Sequence, residues 1–187
     1  MVVGGIDMKK SLFISSFLLA GCLVMGQSDS HAGGFARGHS VHTNGAGGVS
    51  GKFAAGVKGP NGGMAGHTRG FATDGQGNAV GGSAAAFKTP GGAKGFRAGM
   101  TTRSADGTVR RQSGGAVSGV NGTASSYGGF TKNADGTTSG SRSTTVQSKN
   151  SEASYQGNTS YSSTDGLQHT STCADAEGDL GTCSAVK

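Results

Sequence analysis

Cysteine is the first residue type in this sequence whose spacing indicates chemistry. The chain contains three cysteines, and two of them, Cys173 and Cys183, enclose a short segment rich in turn-forming residues. In an oxidising compartment two such thiols form a disulfide. The pattern therefore predicts a terminal hairpin that is closed by a Cys173–Cys183 bond worth about 2–3 kcal/mol.

Histidines and carboxylates are the next candidates. His39 and His42 have a ligand-like spacing, but a metal site needs further ligands close by and none is present in that segment. The acidic residues fall mostly in turn sequences, where aspartate shapes the backbone rather than transferring protons. The sequence therefore predicts no catalytic residue, no metal site, no cofactor and no small-molecule substrate, and it indicates a non-enzymatic protein.

Arginines and lysines are unevenly distributed. Residues 33–111 carry ten of them against two aspartates, whereas residues 112–187 carry four against six acidic residues. A basic half favours contact with an anionic polymer such as a polysaccharide, lipid A or DNA. Its candidate patch consists of Arg97, Arg103, Arg110 and Arg111. The alternative interpretation is that these charges keep exposed strand edges from aggregating.

The elements that position these residues are predicted from regularly spaced turn signals. Turn markers recur 12–17 residues apart from residue 61 to residue 177. Asp-Gly and Asn-Gly are strong hairpin signals, and we expect two-residue type I′ turns at them. The Asp-Gly pairs alternate with the other turns, so the predicted unit is about 30 residues, strand–turn–strand–turn, with all Asp-Gly turns at one end. The Asp-Gly pairs begin at Asp74, Asp106, Asp135 and Asp165.

Strand signals lie between the turns. Phe96, Ala98, Met100 and Thr102 alternate with more polar residues, which is the period of a half-buried strand. We therefore predict an all-β, glycine-rich, up-and-down antiparallel meander, or a serpentine stack of the same units, over residues 51–187. The alternative is a largely disordered chain, because 38 of 187 residues are glycine and large apolar residues are scarce.

The N-terminal segment has the features of a secretory signal. Lys9 and Lys10 precede an apolar run over residues 12–25, and small residues follow up to Ala32. The apolar run is too short to span a bilayer. We predict a signal segment over residues 1–32 that starts at Met8 and is cleaved after Ala32, followed by a flexible lead-in over residues 33–50. A second interpretation is a lipoprotein that is lipidated at Cys22 and anchored to a membrane.

The C-terminal region carries a family resemblance. The run Tyr155 to Tyr161, the segment His169 to Cys173 and the closing Cys183 resemble a group of uncharacterised Gly/Ser/Thr-rich exported proteins of Gram-negative bacteria. The chain also resembles curli-type fibre subunits in its regular strand–turn units, but it lacks their Ser-x-Gly-x-Asn-x-Gln ladder. The resemblance implies no activity. We expect a secreted or cell-surface structural repeat protein, in the periplasm, on the surface or outside the cell, that associates with itself; the alternative is a module that binds an anionic polymer.

Overall fold

A computed structural model describes residues 33–43, 45–181 and 183 of the protein. These residues form one open antiparallel sheet of 11 strands, in which each strand pairs with the next one along the chain. This confirms the predicted all-β up-and-down meander. The strands are β1 (Gly34–Thr43), β2 (Val49–Lys58), β3 (Met64–Thr73), β4 (Ala79–Lys88), β5 (Lys94–Arg103), β6 (Val109–Ser118), β7 (Gly122–Lys132), β8 (Thr138–Ser148), β9 (Ser154–Ser162), β10 (Gly166–Ala174) and β11 (Leu180–Gly181).

The register keeps equivalent residues in rows that cross the sheet. Phe35 of β1 lies opposite Val57 of β2, which in turn lies opposite Ala65 of β3. Residues that lie directly opposite each other in antiparallel strands place their side chains on the same face. From β1 to β5 the rows advance by 30 residues for every two strands, which is the predicted repeat.

The hairpin turns fall where the Asp-Gly and Pro-Gly signals predict, but their type differs from the two-residue type I′ turn that we expected. In the β5–β6 turn, Gly107 N–H donates to Ser104 O and Ser104 N–H donates to Thr108 O, both at 2.9 Å. Only the fourth residue, Gly107, needs a positive φ (91°). This is the longer loop in which a tight turn is followed by a left-handed glycine. Glycines at the same fourth position are Gly47, Gly62, Gly77, Gly92, Gly136 and Gly178.

Among the described residues the sheet is a single layer without a core. No apolar side chain of these residues is buried, and the buried residues are Gly48, Gly51 and Gly157. The strands were predicted to be half-buried, yet both of their faces are exposed because nothing in the described chain packs on either one. Backbone pairing and contacts between neighbouring strands therefore hold the sheet together.

Within the segment predicted as a flexible lead-in, residues 34–43 form β1 and residues 49–50 begin β2. Phe35, Arg37, His39 and Val41 alternate with small or polar residues and all pair with β2. The pattern was missed because glycines interrupt it, and pairing with β2 overrides that weak local preference. The signal segment, the cleavage site after Ala32 and the lipidation site at Cys22 lie outside the described residues.

The C-terminal hairpin is closed as predicted. β11 pairs with the end of β10 through Cys173–Gly181 and Ala174–Leu180. Cys173 and Cys183 lie at disulfide distance, with an S–S separation of 2.04 Å and a Cα–Cα separation of 5.2 Å. The bond therefore fastens the short strand β11 onto the edge of the sheet.

Candidate binding face

The two faces of the sheet carry different cations. Alternation along each strand, combined with the register, divides the strand residues between two sides. One side, the arginine face, carries Lys132 and the arginines Arg37, Arg69, Arg97, Arg103, Arg111 and Arg142. The other side, the lysine face, carries Arg110 and the lysines Lys52, Lys58, Lys88 and Lys94. Guanidinium groups are thus concentrated on one side.

An apolar row lies on the arginine face, along the end of the sheet that is opposite the Asp-Gly turns. It runs without a charged residue from β1 to β10. Its larger members are Phe35, Val57, Phe87, Val117, Val146 and Tyr155. Phe87 is 41% exposed and Val117 is 43% exposed, so the row keeps apolar surface in contact with solvent.

A shallow, open depression of about 1060 Å³ lies on the arginine face. We call it the arginine trough. Its lining runs from Phe35 in β1 to Thr144 in β8 and includes Arg97, Arg111 and Arg142. No carboxylate lines it, and most of the remaining lining residues are glycine, alanine, serine or threonine. The trough is therefore a long, positively charged surface with small side chains along its floor.

One end of the arginine face has a cluster of side chains around the ring of Phe53. The ring of Phe53 lies 5.2 Å from the ring of His67, and the Arg69 guanidinium lies 5.1 Å from the centre of the same Phe53 ring. An arginine in that position is attracted by the electron density of the aromatic face. Phe53 thereby orients the His67 imidazole and the Arg69 guanidinium of β3.

Arg142 extends across two strands at the other end of the trough. Its guanidinium donates hydrogen bonds to Ser126 Oγ of β7 at 2.9 Å and to Ser113 Oγ of β6 at 3.2 Å. Gly128 lies between Arg142 and Ser113 in the same row, so no side chain blocks this path. The head group is held on the floor of the trough, and its exposed edge still faces solvent.

The acidic residues of the described chain all lie in turns rather than in strands. Asp135 accepts hydrogen bonds from the Thr137 hydroxyl and the Thr137 N–H, which lower the pKa of its carboxyl group. The pKa of Asp74 is lowered in the same way, first by the Asn78 side chain and then by the Gln76 N–H. These carboxylates accept hydrogen bonds within the turns in which they lie. Among the described residues, no carboxylate forms an ion pair with an arginine of the strands.

The structure divides the patch predicted from the sequence. Arg97, Arg103 and Arg111 share the arginine face, whereas Arg110 lies on the lysine face, because adjacent residues of a strand point to opposite sides. Sequence reasoning did not find that Arg37, Arg69 and Arg142 join the arginine face. Whether these arginines share a face depends on the strand register across several hairpins. The sequence signal for it is the turn spacing combined with the two-residue alternation of side chains along each strand.

The two histidines with ligand-like spacing do not converge on one point. His39 and His42 are three residues apart in β1 and therefore lie on opposite faces. His39 shares the arginine face with Phe53, and His42 shares the lysine face with Ser50. Within residues 33–43, 45–181 and 183, no group of three His, Cys, Asp or Glu residues is arranged to hold a metal ion.

The fold and the arginine face define a class: a single-layer, glycine-rich antiparallel meander with one guanidinium-rich face. Comparison with protein-family models, with curated protein sequences and with solved structures finds no match. Among the described residues there is no helix of the length and apolar character needed to cross a membrane.

Proposed function

We propose that this protein is an exported, non-enzymatic structural protein of the cell envelope or extracellular matrix that assembles through its strand edges. The observation that carries the proposal is β1, a strand of ten residues. Within the described chain, β1 pairs with β2 on one side and with nothing on the other. An uncovered edge of this length presents a row of backbone N–H and C=O groups to which another strand can pair.

The opposite edge of the sheet supports assembly into an array. β11 covers only Cys173 and Ala174 of β10, so residues 166–172 have no described strand on their outer side. The described part of the chain has ten long strands in alternating directions, and β1 and β10 therefore run antiparallel. Placing β1 of one copy beside β10 of the next continues the alternation, and such head-to-tail contacts give an open array.

The absence of a buried core in the described chain fits this role. A sheet held mainly by backbone pairing gains stability with each strand that is added at its edge. Export is supported by the basic and apolar pattern of residues 8–32. It is also supported by the Cys173–Cys183 disulfide, which suits an oxidising compartment.

Sedimentation velocity and electron microscopy of the oxidised protein across a concentration series test the proposal. We expect monomers when the protein is dilute and extended assemblies when it is concentrated. A protein that stays monomeric at every accessible concentration contradicts the proposed function.

Two variants of β1, Gly38→Pro and His39→Pro, locate the assembling edge. Successive residues of an edge strand direct their N–H groups to opposite sides. One variant therefore removes an outward donor and stops assembly while the monomer keeps its β circular dichroism. The other removes a bond to β2 and lowers the stability of the monomer. Assembly at the wild-type concentration by both variants would place the contact elsewhere than at β1.

A further inference from the structure

We infer that the arginine trough is a binding site for a linear acidic polysaccharide, of the kind that carries carboxylate or sulfate groups on only some of its sugars. This inference concerns a face of the sheet, whereas the proposed assembly concerns its edges. Each can therefore fail without the other.

The dimensions of the trough indicate an elongated ligand. Its lining extends over eight strands, from β1 to β8, which at a strand spacing of about 4.8 Å is roughly 34 Å. Small-molecule sites are enclosed and bury most of their ligand. This depression is shallow and open along its length, so a polymer that lies across the strands fits it and a metabolite does not.

The charge of the trough indicates an anion. Arg97, Arg111 and Arg142 line it, and no aspartate or glutamate does. A planar guanidinium presents a fork of N–H donors that matches the two oxygens of a carboxylate or sulfate group. Within the described residues, the side chains of Arg97 and Arg111 make no hydrogen bond, ion pair or ring contact, so their donors are available to a ligand.

The small number of arginines in the trough favours a polymer of low charge density. Arg97, Arg111 and Arg142 are the arginines that line a depression extending over eight strands, which is roughly 34 Å. A nucleic acid presents one phosphate on every nucleotide and is normally bound by aromatic rings on which successive bases stack. Phe35 and Phe87 lie three strands apart, so their rings do not form a continuous stack.

The rest of the trough suits sugars. Ser83, Ser113, Ser126 and Thr144 line its floor, and their hydroxyls both donate and accept hydrogen bonds, as sugar hydroxyls do. Phe87, on the apolar row beside them, supplies a flat ring for the C–H faces of pyranose rings, and Val117 adds apolar surface. The arginines match the acidic groups of an acidic polysaccharide, and the small hydroxyl side chains between the arginines match its sugar hydroxyls.

A pair of charge-matched variants tests the assignment. The first is Arg97→Gln, Arg111→Gln and Arg142→Gln. The second is Lys58→Gln, Lys88→Gln and Lys94→Gln, which removes the same charge from the lysine face. Fluorescence anisotropy of labelled hyaluronate and polygalacturonate fragments, with dextran and poly(dT) as comparison ligands, measures the affinity for dilute protein. Arg142 also forms hydrogen bonds with Ser113 and Ser126, so its substitution also removes contacts within the fold. The double variant Arg97→Gln, Arg111→Gln keeps these contacts and shows whether a loss of binding is independent of them.

We expect the wild type to bind hyaluronate more tightly than poly(dT) and not to bind dextran. The arginine variant should bind hyaluronate about tenfold more weakly, as loss of three exposed ion pairs implies, and the lysine variant should stay within about twofold of the wild type. Equal losses in the two triple variants would overturn the site. Tighter binding of poly(dT) would reassign the trough to nucleic acid, and no binding of either acidic polysaccharide would overturn the inference.

Discussion

Phe71 of β3 lies directly opposite Gly51 of β2, and its ring occupies the space that a side chain at residue 51 would fill. A Cβ built on Gly51 would meet Phe71 Cε1 at 2.6 Å. Aromatic rings also lie opposite glycine in the pairs Phe71–Gly81, Phe87–Gly95, Phe130–Gly140 and Tyr161–Gly140. A glycine in one strand thus leaves room for an aromatic ring of the neighbouring strand to lie over its backbone. In this way the described sheet packs apolar surface without a core.

The first prediction concerns this packing. Phe71→Ala removes the ring from above Gly51 and leaves the backbone of two neighbouring strands uncovered. We expect the free energy of unfolding to fall by about 1–2 kcal/mol, because the ring is 46% exposed and a fully buried ring would contribute more. Urea unfolding measures the change. Phe35→Ala, at a side chain that is 69% exposed on edge strand β1, is the control and should cost less than half as much.

The second prediction concerns close backbone approach. A Cβ on Gly128 of β7 would lie 2.7 Å from Arg142 Cα of β8, so the two strands must separate to admit a methyl group. Gly128→Ala should therefore destabilise the sheet by about 1–3 kcal/mol. It should also move Arg142 away from Ser113. Gly38→Ala is the matched control, because a Cβ there meets nothing within 4 Å, and it should be neutral or slightly stabilising. Equal stability of the two variants contradicts this prediction.

The third prediction concerns the disulfide. Reduction, or the double substitution Cys173→Ser and Cys183→Ser, should lower the free energy of unfolding of the C-terminal hairpin by about 2–3 kcal/mol, as expected for a loop of this length. Hydrogen exchange should accelerate at the amides of β11 and at the end of β10, with β2 to β6 unchanged. Uniform acceleration over the whole sheet would show instead that the hairpin stabilises every strand.

Much of this fold can be predicted from the sequence, because each hairpin carries its own signal. Asp106-Gly107 marks a turn by local chemistry, and Phe96 to Thr102 alternate without reference to any other strand. What sequence reasoning missed depends on pairing. β1 becomes a strand because Phe35 and Val41 lie against β2, and Arg142 joins Arg97 on one face only through the register of three intervening hairpins. The half-buried pattern likewise predicts the alternation of side chains correctly, but it does not reveal that no second layer covers the sheet in the part of the chain that the structure describes.

The fourth prediction concerns acid. The Thr137 hydroxyl and N–H stabilise the ionised form of Asp135 and lower the pKa of its carboxyl group in the folded state. A group with a lowered pKa stabilises the fold above its unfolded pKa of about 3.9, and that contribution is lost as the pH falls through the lower folded value. The β7–β8 turn should therefore be protected at neutral pH and should open as the solution is acidified below about pH 4.

Hydrogen exchange at the Thr137 amide, followed from pH 6 to pH 2 with correction for the intrinsic rate, measures this opening. Asp135→Asn keeps an acceptor for the Thr137 N–H but does not titrate, so its protection should be weaker at neutral pH and independent of acid. The β4–β5 turn, in which the Thr89 hydroxyl accepts from the Ala93 N–H at 3.1 Å, contains no acidic residue and serves as an internal reference within the same molecule. An acid response of the Thr137 amide that is identical in the wild type and in Asp135→Asn would mean that another group controls the turn.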